Sequence, residues 1–118
     1  TGSVKATFLA EEGLEAMRFL RDTSWDENIA TLSNGTDYSL VLESNLWKAT
    51  TTNIFIDETF ERIVNLSDVY RDESDDIVSS GGTLDPNTKL VIVAVSWKMG
   101  SATTTRSIST YLSNILDE

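Results

Sequence analysis

The sequence predicts a two-layer α+β domain, with one amphipathic helix packed on an antiparallel sheet of four to five strands. Three observations carry this. Apolar residues recur at three- and four-residue steps through residues 4–22. Segments of alternating apolar and polar residues fill most of the remainder. The connections between those segments are short, which favours an antiparallel meander over parallel crossovers.

At 118 residues the chain makes one domain, read as residues 4–118. A chain of this size can bury about two-thirds of its unfolded surface. Thr1-Gly2-Ser3 reads as a cloning scar. The net charge is −10. That disfavours nucleic acid, which is bound through Lys and Arg, and anionic membrane surfaces. No apolar run approaches the roughly 18 residues of a membrane span. Neither Cys nor His occurs. Disulfides, thiolate chemistry, imidazole acid–base catalysis and the usual zinc ligands are therefore excluded.

In the helix, Ala6, Leu9, Ala10, Gly13, Leu14, Met17 and Leu20 form one stripe, and Glu11, Glu15, Arg18 and Asp22 lie opposite. Arg18 can offset the like-charge pair Glu11–Glu15. Phe8 and Phe19 fall together on the wheel, off the centre of the stripe. Ser24 and Glu27 have capping-box spacing, so residues 25–31 read as a short second helix. Ser33-Asn34-Gly35-Thr36 ends it in a turn. Tyr38, Leu40 and Leu42 share one face of a strand, Glu43-Ser44-Asn45 turns the chain, and residues 46–50 return.

Residues 59–71 form the next strand. Phe60, Val64, Leu66 and Tyr70 share a face that Arg62 and Asp68 interrupt. Residues 72–86 read as an acidic, Gly-containing loop. Residues 89–97 are apolar on both faces, with Leu90, Ile92 and Ala94 on one and Val91, Val93, Val95 and Trp97 on the other. This predicts a central strand covered, at least in part, on both sides. A hairpin loop containing Gly100 leads to a last strand, residues 103–115. Its Ile108 and Leu112 point inward, and its Thr105, Ser107 and Ser109 point outward.

Chemistry is scarce. Asp72, Asp75, Asp76 and Asp85 are the one candidate metal set, a calcium loop of oxygen ligands, although the spacing is not that of an EF-hand. A solvated acidic loop is the simpler reading. Trp25, Trp47 and Trp97 are expected as core or rim residues rather than a carbohydrate platform. Asn34-Gly35-Thr36 and Asn65-Leu66-Ser67 match a glycosylation acceptor pattern. No carboxylate pair is singled out as a glycosidase pair would be, and none of Lys5, Lys48, Lys89 and Lys98 lies in a nucleophile–base motif. An enzyme is not expected, and no cofactor is implied.

Three stretches together resemble the type IV pilin and type II secretion pseudopilin family. They are LAEEGLEAMRFLRDTSW (residues 9–25), KLVIVAVSWK (residues 89–98) and SISTYLSNIL (residues 107–116). The first is similar to the exposed half of the long pilin helix, and the other two to the strands that end many such subunits. The resemblance implies a basic leader, a peptidase site and an apolar half-helix upstream of Val4. A helix of about 50 residues would be about 75 Å long. It also implies assembly with other pilin or pseudopilin subunits into a cell-surface filament, with anchoring in the inner membrane before assembly. The subunit-interface candidates are then Phe8, Phe19, Glu11 and Glu15, and at least one of the two phenylalanines is expected to be exposed. The alternative is a stand-alone secreted binding or adhesion module.

Overall fold

The computed structural model describes residues 2–115. Helix α1 spans Gly2–Thr23. It takes in Gly2, whose backbone lies against the Trp97 indole, and Ser3, whose hydroxyl accepts a hydrogen bond from Arg106. The expected stripe is the buried stripe, with Ala16 added to it. Ser24 caps α2 (Trp25–Asn28), its hydroxyl accepting the Glu27 amide at 3.1 Å. This second helix is shorter than predicted, because the chain turns at Ile29, which is fully buried.

Among the described residues seven strands follow: β1 (Ser39–Glu43), β2 (Leu46–Thr50), β3 (Phe55–Ile56), β4 (Phe60–Arg71), β5 (Ile77–Val78), β6 (Thr83–Met99) and β7 (Ala102–Ser113). All pairings are antiparallel. The main sheet runs β3-β4-β6-β7, with β5 also on β4. The first two predicted strands stand apart as a two-stranded hairpin. Its turn residues Ser44 and Asn45 both have positive φ, as a type I′ hairpin turn requires. The β6–β7 turn instead places only Gly100 at positive φ.

Strand β4 organises the sheet. One edge pairs with β6 from Glu61 to Arg71. The other is covered in pieces: β3 at Phe60–Glu61, mutual backbone bonds with Tyr38 at Val64, the Gly35 amide on the Leu66 carbonyl, and β5 at Tyr70–Arg71. Along β7 the register with β6 is unbroken from Ala102 to Ser113.

The core lies between α1 and one sheet face. Cross-strand partners share a face, so Val64 and Val93 meet, Leu66 meets Val91, and Phe60 meets Trp97 with ring centroids 6.1 Å apart. Val91, Val93 and Val95 are fully buried there. The small residues Ala6, Ala10, Gly13 and Ala16 let the helix approach closely. A Cβ on Gly13 would sit 2.9 Å from Val93 Cγ1.

Several expectations are corrected. The opposite face of β6 was expected to be covered at least in part. Among the described residues no helix or strand packs on it, so Leu90 and Ala94 are only half-buried and Ile92 is 37% exposed. The β1–β2 hairpin runs beyond the core, and Leu42 is 55% exposed although Leu40 on the same strand and Tyr38 just before it are buried. Tyr70 is exposed and Val69 buried instead, because the β4–β6 register shifts between Asp68 and Val69. The extra residues 86–88 lie on β6. Pro86, which has no N–H to donate, fits this irregular site. Residues 72–86 are accordingly not all loop, since β5 and the start of β6 lie within them.

Arg62 does not interrupt the inner face of β4 but belongs to it, with its side chain only 3% exposed. Its Nη1 donates to Glu12 Oε1 at 2.7 Å and to the Leu9 carbonyl at 3.0 Å, both on the helix. The guanidinium carbon lies 5.5 Å from the centre of the Trp47 ring, which brings β2 against the same site. Arg62 Nε has no hydrogen-bond partner among the described residues. A buried arginine is tolerable only with such pairing.

Two stability tests follow from this interface. Gly13→Leu should lower the free energy of unfolding by about 1–3 kcal/mol through overpacking against Val93, despite the better helix propensity of leucine. Glu12→Ala should cost about 1–3 kcal/mol by leaving the Arg62 cation underpaired, whereas Arg62→Met should cost less. Urea unfolding of the variants measures both.

Candidate functional site

The outer side of α1 is set by its inner side. Once Ala6, Ala10, Gly13 and Met17 face the sheet, Val4, Phe8, Glu11 and Glu15 face away from it. Val4 is 72% exposed and Phe8 56%. Lys5 Nζ lies 5.8 Å from the Phe8 ring centre and 3.7 Å from Asp57. Glu11 is exposed, and Glu15 is paired with Arg18 three residues on.

Phe19 differs from Phe8 although the helical wheel puts them together. It is half-buried and packs against the core cluster, because the β1–β2 hairpin reaches α1 at that end. Beside it lies an open depression of about 420 Å³, lined by Phe19, Leu20, Thr23, Leu46, Trp47 and Lys48 among others. Leu46 on its rim is 55% exposed. The sequence reading did not single out this feature. Its signal was present in Leu46 directly after a two-residue turn, since a hairpin tip extends away from the body that anchors its base.

The four carboxylates of the predicted calcium loop do not converge. Asp72 Oδ1 accepts the amides of Ser74 and Asp76, which folds the loop on itself. Arg71 lies between Asp75 and Asp85. Its Nε donates to Asp85 Oδ2 at 2.7 Å and lies 3.8 Å from Asp75 Oδ1, and its Nη1 donates to the Asp75 carbonyl. Asp85 also accepts the Asn87 amide and the Thr88 hydroxyl. Among the described residues no group of three or more acidic side chains is placed to hold a metal ion.

The remaining candidates are built into the fold. Trp25 and Trp97 are buried, and Trp47 covers Arg62, so the three tryptophans form no common platform. The Asn65 side-chain amide donates to the Thr36 carbonyl and to Asp37. Asn34 accepts Lys89 Nζ at 3.0 Å, and that ammonium also donates to Asp68 at 2.7 Å.

These ion pairs set the acid response. The Arg71 guanidinium, then the Asn87 amide and the Thr88 hydroxyl, hold the Asp85 carboxyl below its ordinary value of 3.8, with burial opposing. Lys89, then Asn34, do the same for Asp68, again against burial.

Comparison of the chain with protein-family models, with curated proteins and with solved structures finds no match.

A carboxylate whose folded-state pKa is depressed stabilises the fold above its unfolded pKa, and the contribution is lost as pH falls through the folded value. Unfolding free energy should therefore decline as pH drops below the ordinary carboxylate value of 3.8. Asp85→Asn should flatten that decline and be most costly at neutral pH, as measured by urea unfolding across pH.

Proposed function

We propose that this chain is the globular domain of a pilin-like subunit, of the type IV pilus or type II secretion pseudopilus kind, and that it works by assembly. The observation that supports this best is the division of α1. One side is spent wholly on its own sheet through a stripe of small residues. The other carries Val4 and Phe8 in the open, beside Glu11 and Glu15. Exposed apolar residues next to charges are suited to contacts between subunits. Leu116 lies outside the described residues; the rest of the three stretches that resemble the family falls mainly on α1, β6 and β7, and these elements pack together. The net charge of −10 agrees with partners that are proteins rather than nucleic acid.

In such a subunit α1 continues upstream as an apolar half-helix, held in the inner membrane before assembly and in the filament afterwards. The exposed sheet face and the acidic loop are then free to face outward or to meet neighbouring subunits.

Cell fractionation tests the reading. The protein should be found in filaments sheared from the cell surface, and loss of the prepilin-type peptidase should leave it in the membrane. Recovery as free monomer in the culture medium, independent of that peptidase, would favour a secreted binding module instead.

A further inference from the structure

We propose that the open edge of β7 is a docking site for an extended segment of a different protein, which joins the sheet as a further antiparallel strand and brings a carboxylate to Arg106. The inference rests on the sheet alone and does not depend on the filament reading.

The alternation of backbone groups fixes what lies on that edge. Val64 exchanges both of its backbone bonds with Tyr38, so its N–H and C=O point away from β6. Along an antiparallel strand successive residues turn these groups to opposite sides. Val93, opposite Val64, therefore turns its own groups to β7, where Ile108 is its partner. At the other end of β7 the Asn114 amide bonds to the Asn87 carbonyl, which gives the same alternation. The even-numbered residues of β7 thus bond to β6, and Thr103, Thr105, Ser107, Ser109 and Tyr111 direct N–H and C=O outward. Among the described residues no strand pairs with this edge, and the Tyr111 carbonyl is met by the Thr110 hydroxyl at 3.4 Å.

The edge is also undefended. Exposed edges are ordinarily blunted by proline, lysine, a bulge or a covering segment. The outer edge of β4 is covered in pieces, whereas β7 carries neither proline nor lysine. Its register with β6 is unbroken from Ala102 to Ser113, a length of about 40 Å. Added strands bind such edges through main-chain hydrogen bonds, and side chains supply the selectivity.

Charge identifies the occupant. Among the described residues, seven of the nine Lys and Arg side chains are in ion pairs. The two without a carboxylate partner, Lys98 and Arg106, both lie at β7. Arg106 is on the strand and donates to the Ser3 hydroxyl, and Lys98 is one strand in from the edge, opposite Thr103. Arg106 shares the helix-facing side with Ile108, since its partner Val95 is in the core. A segment with a carboxylate beside Arg106 and an apolar residue beside Ile108 fits that side. A second copy offers no such segment at its own edge, because β7 contains neither Asp nor Glu, and the net charge of −10 opposes its approach.

The probe is a short capped peptide of alternating Thr and Val, with Glu in place of the Val that meets Arg106. Hydrogen exchange followed by NMR, at peptide concentrations up to about millimolar, should show new protection at the amides of Thr105, Ser107 and Ser109. The amides of Arg106, Ile108 and Thr110, already bonded to β6, should change little. Ser107→Pro removes an outward N–H without breaking the β6 ladder, and proline is tolerated at such edge positions. It should abolish the protection while urea unfolding shows the variant folded. Arg106→Glu should weaken the peptide about tenfold and should favour a version with Lys in place of its Glu.

No protection at the outward amides of the unsubstituted protein overturns the site, and so does protection that survives in folded Ser107→Pro. Equal binding of the Glu and Lys peptides overturns the acidic occupant. The same protection rising with protein concentration in the absence of peptide overturns the choice of a different protein over a second copy. Each of these results leaves the filament reading to its own fractionation test.

Discussion

The close approach of α1 to the sheet is the constraint on which the rest depends. In proteins most helical stability comes from tertiary packing of an amphipathic face rather than from intrinsic propensity. Here the packing surface is built from Ala6, Ala10, Gly13 and Ala16, with Leu9, Leu14, Met17 and Leu20 alongside. Small residues bring the helix backbone near the sheet, and the larger ones fill the space to either side. Glycine at position 13 forgoes helix propensity, and the Val93 side chain occupies the volume that any larger residue would need. The inner face is thereby fixed in rotation, and with it the direction in which Phe8 points.

Charged residues on β4 add specificity to this packing. Arg62 reaches the helix at Glu12, Asp68 reaches Lys89 on β6, and Arg71 reaches Asp85 across the register shift. Each pair ties β4 to a different element or to a different part of one. The Arg62 pair contributes little as a net attraction once its desolvation is counted. Its value lies in penalising alternatives, because a shift of β4 by one residue would turn Arg62 to the opposite face and strand Glu12 without its partner.

Much of this was legible in the sequence, and the exceptions have physical causes. The helix stripe, the β1–β2 turn, the alternation in β6 and the direction of Ile108 and Leu112 all follow from periodicity, because a regular element repeats its geometry at every step. Arg62 was misread as an interruption, since a charge on an apolar face gives no local sign of a partner 50 residues upstream. The exchange of Tyr70 for Val69 depends on an irregularity in another strand, and residue spacing within β4 cannot reveal that. The outer face of β6 was read as covered because a run of apolar residues reports hydrophobicity, not the presence of a covering layer. At the candidate site, Phe8 and Phe19 were identifiable as off the stripe. The hairpin that separates their environments is a tertiary contact, which a helical wheel does not contain.

The packing of α1 also governs the order in which the protein can be made. The helix is translated before the strands it rests on, β6 and β7. During synthesis its apolar stripe has no sheet to cover it until most of the domain has left the ribosome. A chain of this kind gains little from folding piece by piece, because its pairings are long-range and its nascent intermediates expose the surface most prone to aggregate. Until Val91, Val93 and Val95 arrive, the apolar stripe of the early helix stays uncovered by its own sheet.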